Sequence, residues 1–265
     1  MNRILLENPI ENIYERERER ESSIVIVKHS NNNLINQIYD DILSNFKELE
    51  EFYTKLSIED YREILKKTQD LLNRKNYTER ICEACEPEIK SYLNEDKFMV
   101  QSNLYLRATR PNVQKEDESI GWHRETFYGS NMEKSVNLWT PISGVNNLNT
   151  LQFIPNSQNT PESEIITTQI NSKITTKESK GNKVGFLYAP KIITSGVDFS
   201  KKTPMNVPYF HSALFSGLLI HGAANNFSQN IRFSVDFRIL PHSVYNKEIS
   251  KQSHDASNKP YFIPY

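Results

Sequence analysis

The run Gly121-Trp122-His123-Arg124-Glu125-Thr126-Phe127-Tyr128 puts an imidazole and a carboxylate two residues apart in a β-prone segment. If the segment is a strand, His123 and Glu125 point to the same face. Such a pair needs a third ligand to hold a metal, and His221, which ends the apolar run Leu218-Leu219-Ile220, can supply it. Two imidazoles and one carboxylate on one side of a metal form the ligand set suited to non-haem Fe(II). They leave three adjacent positions open, enough for a bidentate co-substrate and dioxygen. His123-x-Glu125 alone is weak, because a lone histidine in a strand is more often a hydrogen-bonded structural residue. A rival third imidazole, His211, lies in the Pro-rich, irregular stretch from 195 to 212. It is expected near the substrate mouth.

Eleven residues beyond His221 comes Arg232, in Ile231-Arg232-Phe233-Ser234-Val235-Asp236-Phe237-Arg238-Ile239, which alternates apolar and polar without a break. Arg232 and Ser234 therefore share a strand face. A guanidinium fork beside a hydroxyl is suited to gripping a carboxylate. Arg238 lies on the same face and is the competing cation.

Four pieces of the chain resemble the Fe(II)/2-oxoglutarate-dependent oxygenases, and most closely their phytanoyl-CoA hydroxylase-like branch. They are His123-x-Glu125, Asn137-Leu138-Trp139-Thr140-Pro141-Ile142, Leu151-Gln152-Phe153-Ile154-Pro155-Asn156-Ser157, and His221-Gly222 followed by Asn226, Ser228 and Arg232. They come in the family's order and cover roughly residues 98 to 241. The ending Arg232 to Arg238 also looks like a subgroup of bacterial carbohydrate biosynthesis clusters. One departure is Glu125, where the commoner triad has Asp. The resemblance implies that His123, Glu125 and His221 hold Fe(II), that Arg232 and Ser234 hold the distal carboxylate of 2-oxoglutarate, and that dioxygen is consumed. A carboxylate at 125 argues against the related halogenases, which need that iron position vacant. The implied activity is hydroxylation of a small metabolite such as a sugar or nucleotide-activated sugar. Two other readings stay open: a non-catalytic jelly-roll that binds carbohydrate, and a metal-dependent cupin enzyme that does not use 2-oxoglutarate.

These residues need a rigid support. The 265 residues, 37% hydrophobic with a formal charge of -1, have an ordinary globular composition, and the length suits one oxygenase domain with a helical elaboration. The balanced charge and the absence of a run of five basic residues argue against nucleic acid as a partner. The N-terminal apolar run is too short for a signal peptide, and no stretch approaches a membrane span, so a cytoplasmic protein is expected.

Residues 1–95 read as a helical buttress. Glu15 to Glu21 alternates charge as a solvated helix or connection, and Ser23 to Val27 is a short strand. Ile35, Ile38, Ile42, Phe46, Leu49 and Tyr53 mark an amphipathic helix from Leu34 to Tyr53. Ser57 caps a second, and a third runs from Thr78 to about Leu93, disturbed by Pro87. Cys82 and Cys85, at i and i+3 of that helix, lack the second pair a zinc site requires and read as small packed residues.

After Asn94 the period changes from 3.6 to 2. Residues 96–241 read as a mainly β core, to which the resemblance gives a double-stranded β-helix, or jelly-roll, topology. Gln101, Asn103, Tyr105 and Arg107 are expected as one polar stripe facing a wet cavity, with Asn103 and Tyr105 in reach of co-substrate or substrate. The alternative is an edge strand with one face in water. Gln101, Tyr105, Arg107, His211, Asp236 and Arg238 would suit a hydroxylated or phosphorylated ligand. Asn137 is expected to bond the metal-proximal carboxylate of the co-substrate, or to be a satisfied core amide. Insertions near 160–183 and 195–212 read as lids, with Val184 to Tyr188 resuming the core. The aromatic tail, within 242–265, is expected to dock on the body.

Overall fold

A computed structural model describes residues 24–46, 56–111, 120–169, 191–223, 225–245 and 261–265. The charge-alternating segment, Leu49, Tyr53, Ile174 and Val184 to Tyr188 lie outside these residues.

Among the described residues a strand (Ile24–Lys28) is followed by three helices, α1 (Asn33–Asn45), α2 (Ile58–Arg74) and α3 (Tyr77–Leu93). The Ser57 hydroxyl caps α2 by accepting from the Asp60 backbone N–H at 3.1 Å. Pro87 does not break α3. It removes one N–H, and the carbonyl left over belongs to exposed Glu83 and can turn to water. Cys82 and Cys85 are buried on α3, where burial pushes both thiols up.

The remainder is antiparallel β structure. The strands are β1 (Ile24–Lys28), β2 (Phe98–Gln101), β3 (Tyr105–Thr109), β4 (Val136–Ser143), β5 (Leu151–Phe153), β6 (Ile166–Gln169), β7 (Lys191–Ser195), β8 (Thr203–Pro204), β9 (His211–Ser216), β10 (His221–Ala223), β11 (Arg232–Pro241) and β12 (Phe262–Pro264). The large sheet runs β1-β9-β4-β11-β2-β12, with β3 also paired to β11. A small sheet runs β10-β5-β8, and β6 pairs with β7 as a separate ribbon. The expected polar stripe is cut in two, because the chain bends at Ser102 and Asn103 so that β2 and β3 pair with different parts of β11.

The large sheet is covered on both faces. Its outer face, with Leu106, Leu138, Leu214, Val235 and Phe237, packs under the helices in the main core. Its inner face, with Ile24, Ile26, Trp139, Ala213 and Phe215, packs against Leu151 and Phe153 of the small sheet. Strand β11 shows the division: Phe233, Val235, Phe237 and Ile239 join the helical core, so Arg232, Ser234, Asp236 and Arg238 must face inward. All four are nonetheless buried. The tail docks as expected. β12 pairs with β2, and Tyr265 stacks on Phe98 with ring centroids 4.6 Å apart. Among the described residues no helix is long and apolar enough to cross a membrane.

Candidate metal centre

His123 and Glu125 do not lie on a regular strand. His123 forms a single bridge with His221, each backbone N–H donating to the other's carbonyl at 3.0 Å. The chain stays extended through Arg124 and turns into a 3-10 helix at Glu125. That one extended residue suffices to put His123 and Glu125 on one side. Arg124 points the other way and donates to the carbonyls of Ser157 at 2.9 Å and Thr160 at 3.1 Å. The Glu125 backbone N–H donates to the Gly217 carbonyl at 2.8 Å. The Ser157 hydroxyl accepts from Ile220 N–H at 2.8 Å, which fixes the approach to His221. The segment is thus held at three points without strand pairing.

One ligand atom from each of His123, Glu125 and His221 lies within 4.8 Å of the others, and all three residues are buried. Nδ1 of His123 donates to the Gly121 carbonyl and Nδ1 of His221 to the Leu219 carbonyl, each at 2.8 Å. A carbonyl can only accept, so Nδ1 carries a proton in each ring and Nε2 is the atom left to face a metal. Burial, reinforced by His221, lowers the His123 pKa to about 3 and keeps it neutral. For Glu125 burial would raise the pKa, but Arg238 and the two imidazoles outweigh it and hold the carboxyl well below the usual range. Two imidazoles and an ionised carboxylate are a donor set that fits a divalent first-row metal.

The cavity around the triad is lined by Arg107, Asn137, Trp139, Leu151, Phe215, Arg232, Asp236 and Arg238, among others. Its cations differ. Arg107 grips Asp236 through Nε at 2.6 Å and Nη2 at 3.1 Å. Arg238 grips Glu125 through Nε at 2.9 Å and Nη2 at 3.1 Å. Arg232 forms no ion pair among the described residues. Its Nη1 donates to the Asn149 carbonyl at 2.8 Å, and its Nε has no partner. Burial, with Arg107 nearby, lowers its pKa to about 10. On the inward-facing positions of β4 and β11, Nδ2 of Asn137 and Oγ of Ser234 are also buried without partners. Buried polar groups are seldom left unpaired, so three on one sheet face call for a ligand.

Of the other expected residues, Gln101, Asn103, Tyr105 and His211 do not line the cavity. Gln101 is fully buried beyond the cavity wall, its Oε1 accepting from the Arg238 backbone N–H at 3.1 Å. Asn103 sits at the bend between β2 and β3 and does not line the cavity. Tyr105 lies against Arg107 and Arg238 at 5.2 and 5.5 Å from its ring centroid, outside the lining. His211 opens β9 instead of lying in an irregular loop, donates from Nδ1 to the Tyr209 carbonyl, and is no part of the triad. Asp236 and Arg238, read from sequence as contacts for a substrate, line the cavity and form ion pairs with Arg107 and Glu125. Asn149 was not foreseen. It acts through a backbone carbonyl, which no side-chain pattern reveals. Its amide donates to Gly144 O and Ser228 Oγ and fixes the turn. The Asn-rich run 146–149 was the available signal.

No family model matches the chain, and no curated protein matches it by sequence. Its fold matches solved structures at low identity. EvdO2 from Micromonospora carbonacea var. aurantiaca, solved in complex with 2-oxoglutarate, superposes with a TM-score of 0.56 at 10% identity, covering 90% of this chain and 93% of that one. The alpha ketoglutarate-dependent carbocyclase SnoK from nogalamycin biosynthesis gives 0.50 at 10% identity over 100% and 99%. The non-heme monooxygenase ThoJ gives 0.50 at 12% identity over 85% and 76%. The chain shares their fold.

Proposed function

We propose that this chain is an Fe(II)- and 2-oxoglutarate-dependent oxygenase built as a single double-stranded β-helix domain, with the helices as its buttress. The observation that carries the reading is the buried meeting of His123, Glu125 and His221 beside a cavity whose Arg232 has no carboxylate partner among the described residues. EvdO2 in its 2-oxoglutarate complex and SnoK, named as dependent on the same keto acid, share the fold. That agreement supports the assignment.

The geometry supports the following roles. His123, Glu125 and His221 would hold the iron, which when bound activates dioxygen at the expense of the keto acid and so supplies the oxidant. Arg232 would take the distal carboxylate of 2-oxoglutarate, with the Asn149 carbonyl fixing one prong of its fork and Ser234 beside it. Asn137, opposite Arg238 in the β4–β11 register, would donate its unpartnered amide to the proximal carboxylate. Trp139, Leu151 and Phe215 exclude water from the reacting end. Arg107–Asp236 and Glu125–Arg238 are internally neutral, so Arg232 is the charge left to select a carboxylate ligand.

The substrate proposed is a small metabolite such as a sugar or sugar nucleotide, and the outcome proposed is hydroxylation. The described residues 160–169 of the insertion near 160–183, and the stretch from 195 to 212, are proposed as lids over the mouth; residues 170–183 lie outside the described residues. The direct test is conversion of 2-oxoglutarate to succinate by purified protein with Fe(II) in air, then a screen of sugars for stimulation of that rate. Oxygen-dependent succinate is expected. Metal binding without any succinate, across the screen, would instead favour a cupin enzyme that does not use the keto acid.

A further inference from the structure

We propose that Arg238 is a positioning residue that fixes Glu125 as a one-oxygen metal ligand, and thereby sets how many coordination positions remain for the co-substrate. The inference rests on the metal centre described above. Glu125 is 0% exposed and accepts from Arg238 at both oxygens, Oε2 from Nε at 2.9 Å and Oε1 from Nη2 at 3.1 Å. Oε1 also lies 3.5 Å from Nε2 of His221. Oε2 takes the shorter of the two bonds from the guanidinium fork.

Arg238 is itself held from several sides. Its Nη1 meets Asp236 Oδ2 at 3.3 Å, and Asp236 is clamped in turn by Arg107. Its guanidinium lies 5.5 Å from the Tyr105 ring centroid and 5.6 Å from that of Tyr128. Gln101 accepts from its backbone N–H. A planar fork so fixed gives a carboxylate one orientation, which a lysine's single ammonium cannot.

Such a clamp matters more for glutamate than for aspartate. The extra methylene adds a torsion, and a free glutamate can swing to chelate a metal through both oxygens. That would occupy a position which a bidentate keto acid and dioxygen both need. Gln101, Tyr105 and Arg107, which the sequence suggested as substrate contacts, thus brace the arginine that braces the ligand.

The test uses Co(II) as a spectroscopic stand-in for iron. Wild type, Arg238→Lys and Arg238→Gln are saturated with Co(II), their visible spectra compared, and 2-oxoglutarate titrated calorimetrically into each. Both variants are expected to show an altered Co(II) spectrum and a 2-oxoglutarate affinity at least about tenfold weaker, with lysine giving no rescue. A purely structural Arg238 would lower the melting temperature while leaving the spectrum and affinity of the folded protein unchanged, and that result overturns the proposal. If neither variant folds, Glu125→Asp with Arg238 intact decides. Its carboxylate is too short to satisfy both the fork and the metal, so a changed spectrum or tenfold weaker Co(II) binding is expected, and wild-type behaviour overturns the proposal. Wild-type protein that takes up no Co(II) would overturn the metal centre itself, a failure visible before any variant is compared.

Discussion

Arg232 and Arg238 occupy one face of β11, yet their surroundings give them different tasks. Arg238 is raised well above its usual pKa because Glu125 and its other acidic neighbours outweigh burial, whereas burial and Arg107 lower that of Arg232. An incoming carboxylate therefore gains most at Arg232. Arg232→Lys keeps the charge but loses the bidentate fit, a difference of about 1.5 to 3 kcal/mol, so the 2-oxoglutarate requirement should rise by roughly 10- to 100-fold. Steady-state titration of the keto acid checks this, and an unchanged requirement would remove Arg232 from the co-substrate site. The triad and this arginine were legible in the sequence because residue type, spacing and strand alternation all carry them. The partners of Arg238 were not. Alternation places Asp236 and Arg238 on the inner face but cannot say that each finds its counter-charge from β3 or from the loop before β4.

Among the elements, the ligand segment shows how function survives the loss of regular pairing. A strand was expected through 121–128 from its β-prone residues, and one extended residue entering a 3-10 turn places His123 and Glu125 on one side just as a strand would. The difference lies in Gly217, whose carbonyl takes the Glu125 N–H and whose own N–H donates to Ser135 at 2.7 Å. A Cβ there would lie 2.8 Å from the Met132 carbonyl oxygen and 2.9 Å from that of Ser135, both backbone. Gly217→Ala should destabilise the fold by about 1 to 3 kcal/mol through this overpacking. Metal affinity should weaken with it as the Glu125 anchor shifts. Urea denaturation and metal titration check the two effects, and wild-type stability would show that the approach is looser than described. The helices were legible for the opposite reason. Their apolar residues recur at three and four, and nothing but packing is asked of them.

In the whole molecule, two buried histidines couple stability to pH from opposite faces of the large sheet. His29 meets Ser212 at 2.7 Å, and Ser212 meets Thr140 at 2.6 Å on the helical side. Burial, then His211, lowers its pKa from 6.5 to about 4. His123 is lowered to about 3 on the cavity side. A folded pKa below the unfolded value means that the unfolded chain takes up protons first, so stability is fully present above about 6.5 and is lost as pH falls toward 4. For His29 this amounts to about 3 kcal/mol. Metal-free protein should lose stability between pH 7 and 4.5 in urea titrations, and His29→Gln should flatten that slope. Equal slopes would contradict it. The central claim, that His123, Glu125 and His221 rather than His211 form the centre, is tested most directly by anaerobic Fe(II) titration of wild type, His221→Ala and His211→Ala. A three-ligand site that loses an imidazole loses a full coordinate bond. The triad predicts one tight Fe(II) in wild type and in His211→Ala and none in His221→Ala, whereas iron kept by His221→Ala and lost by His211→Ala would contradict it.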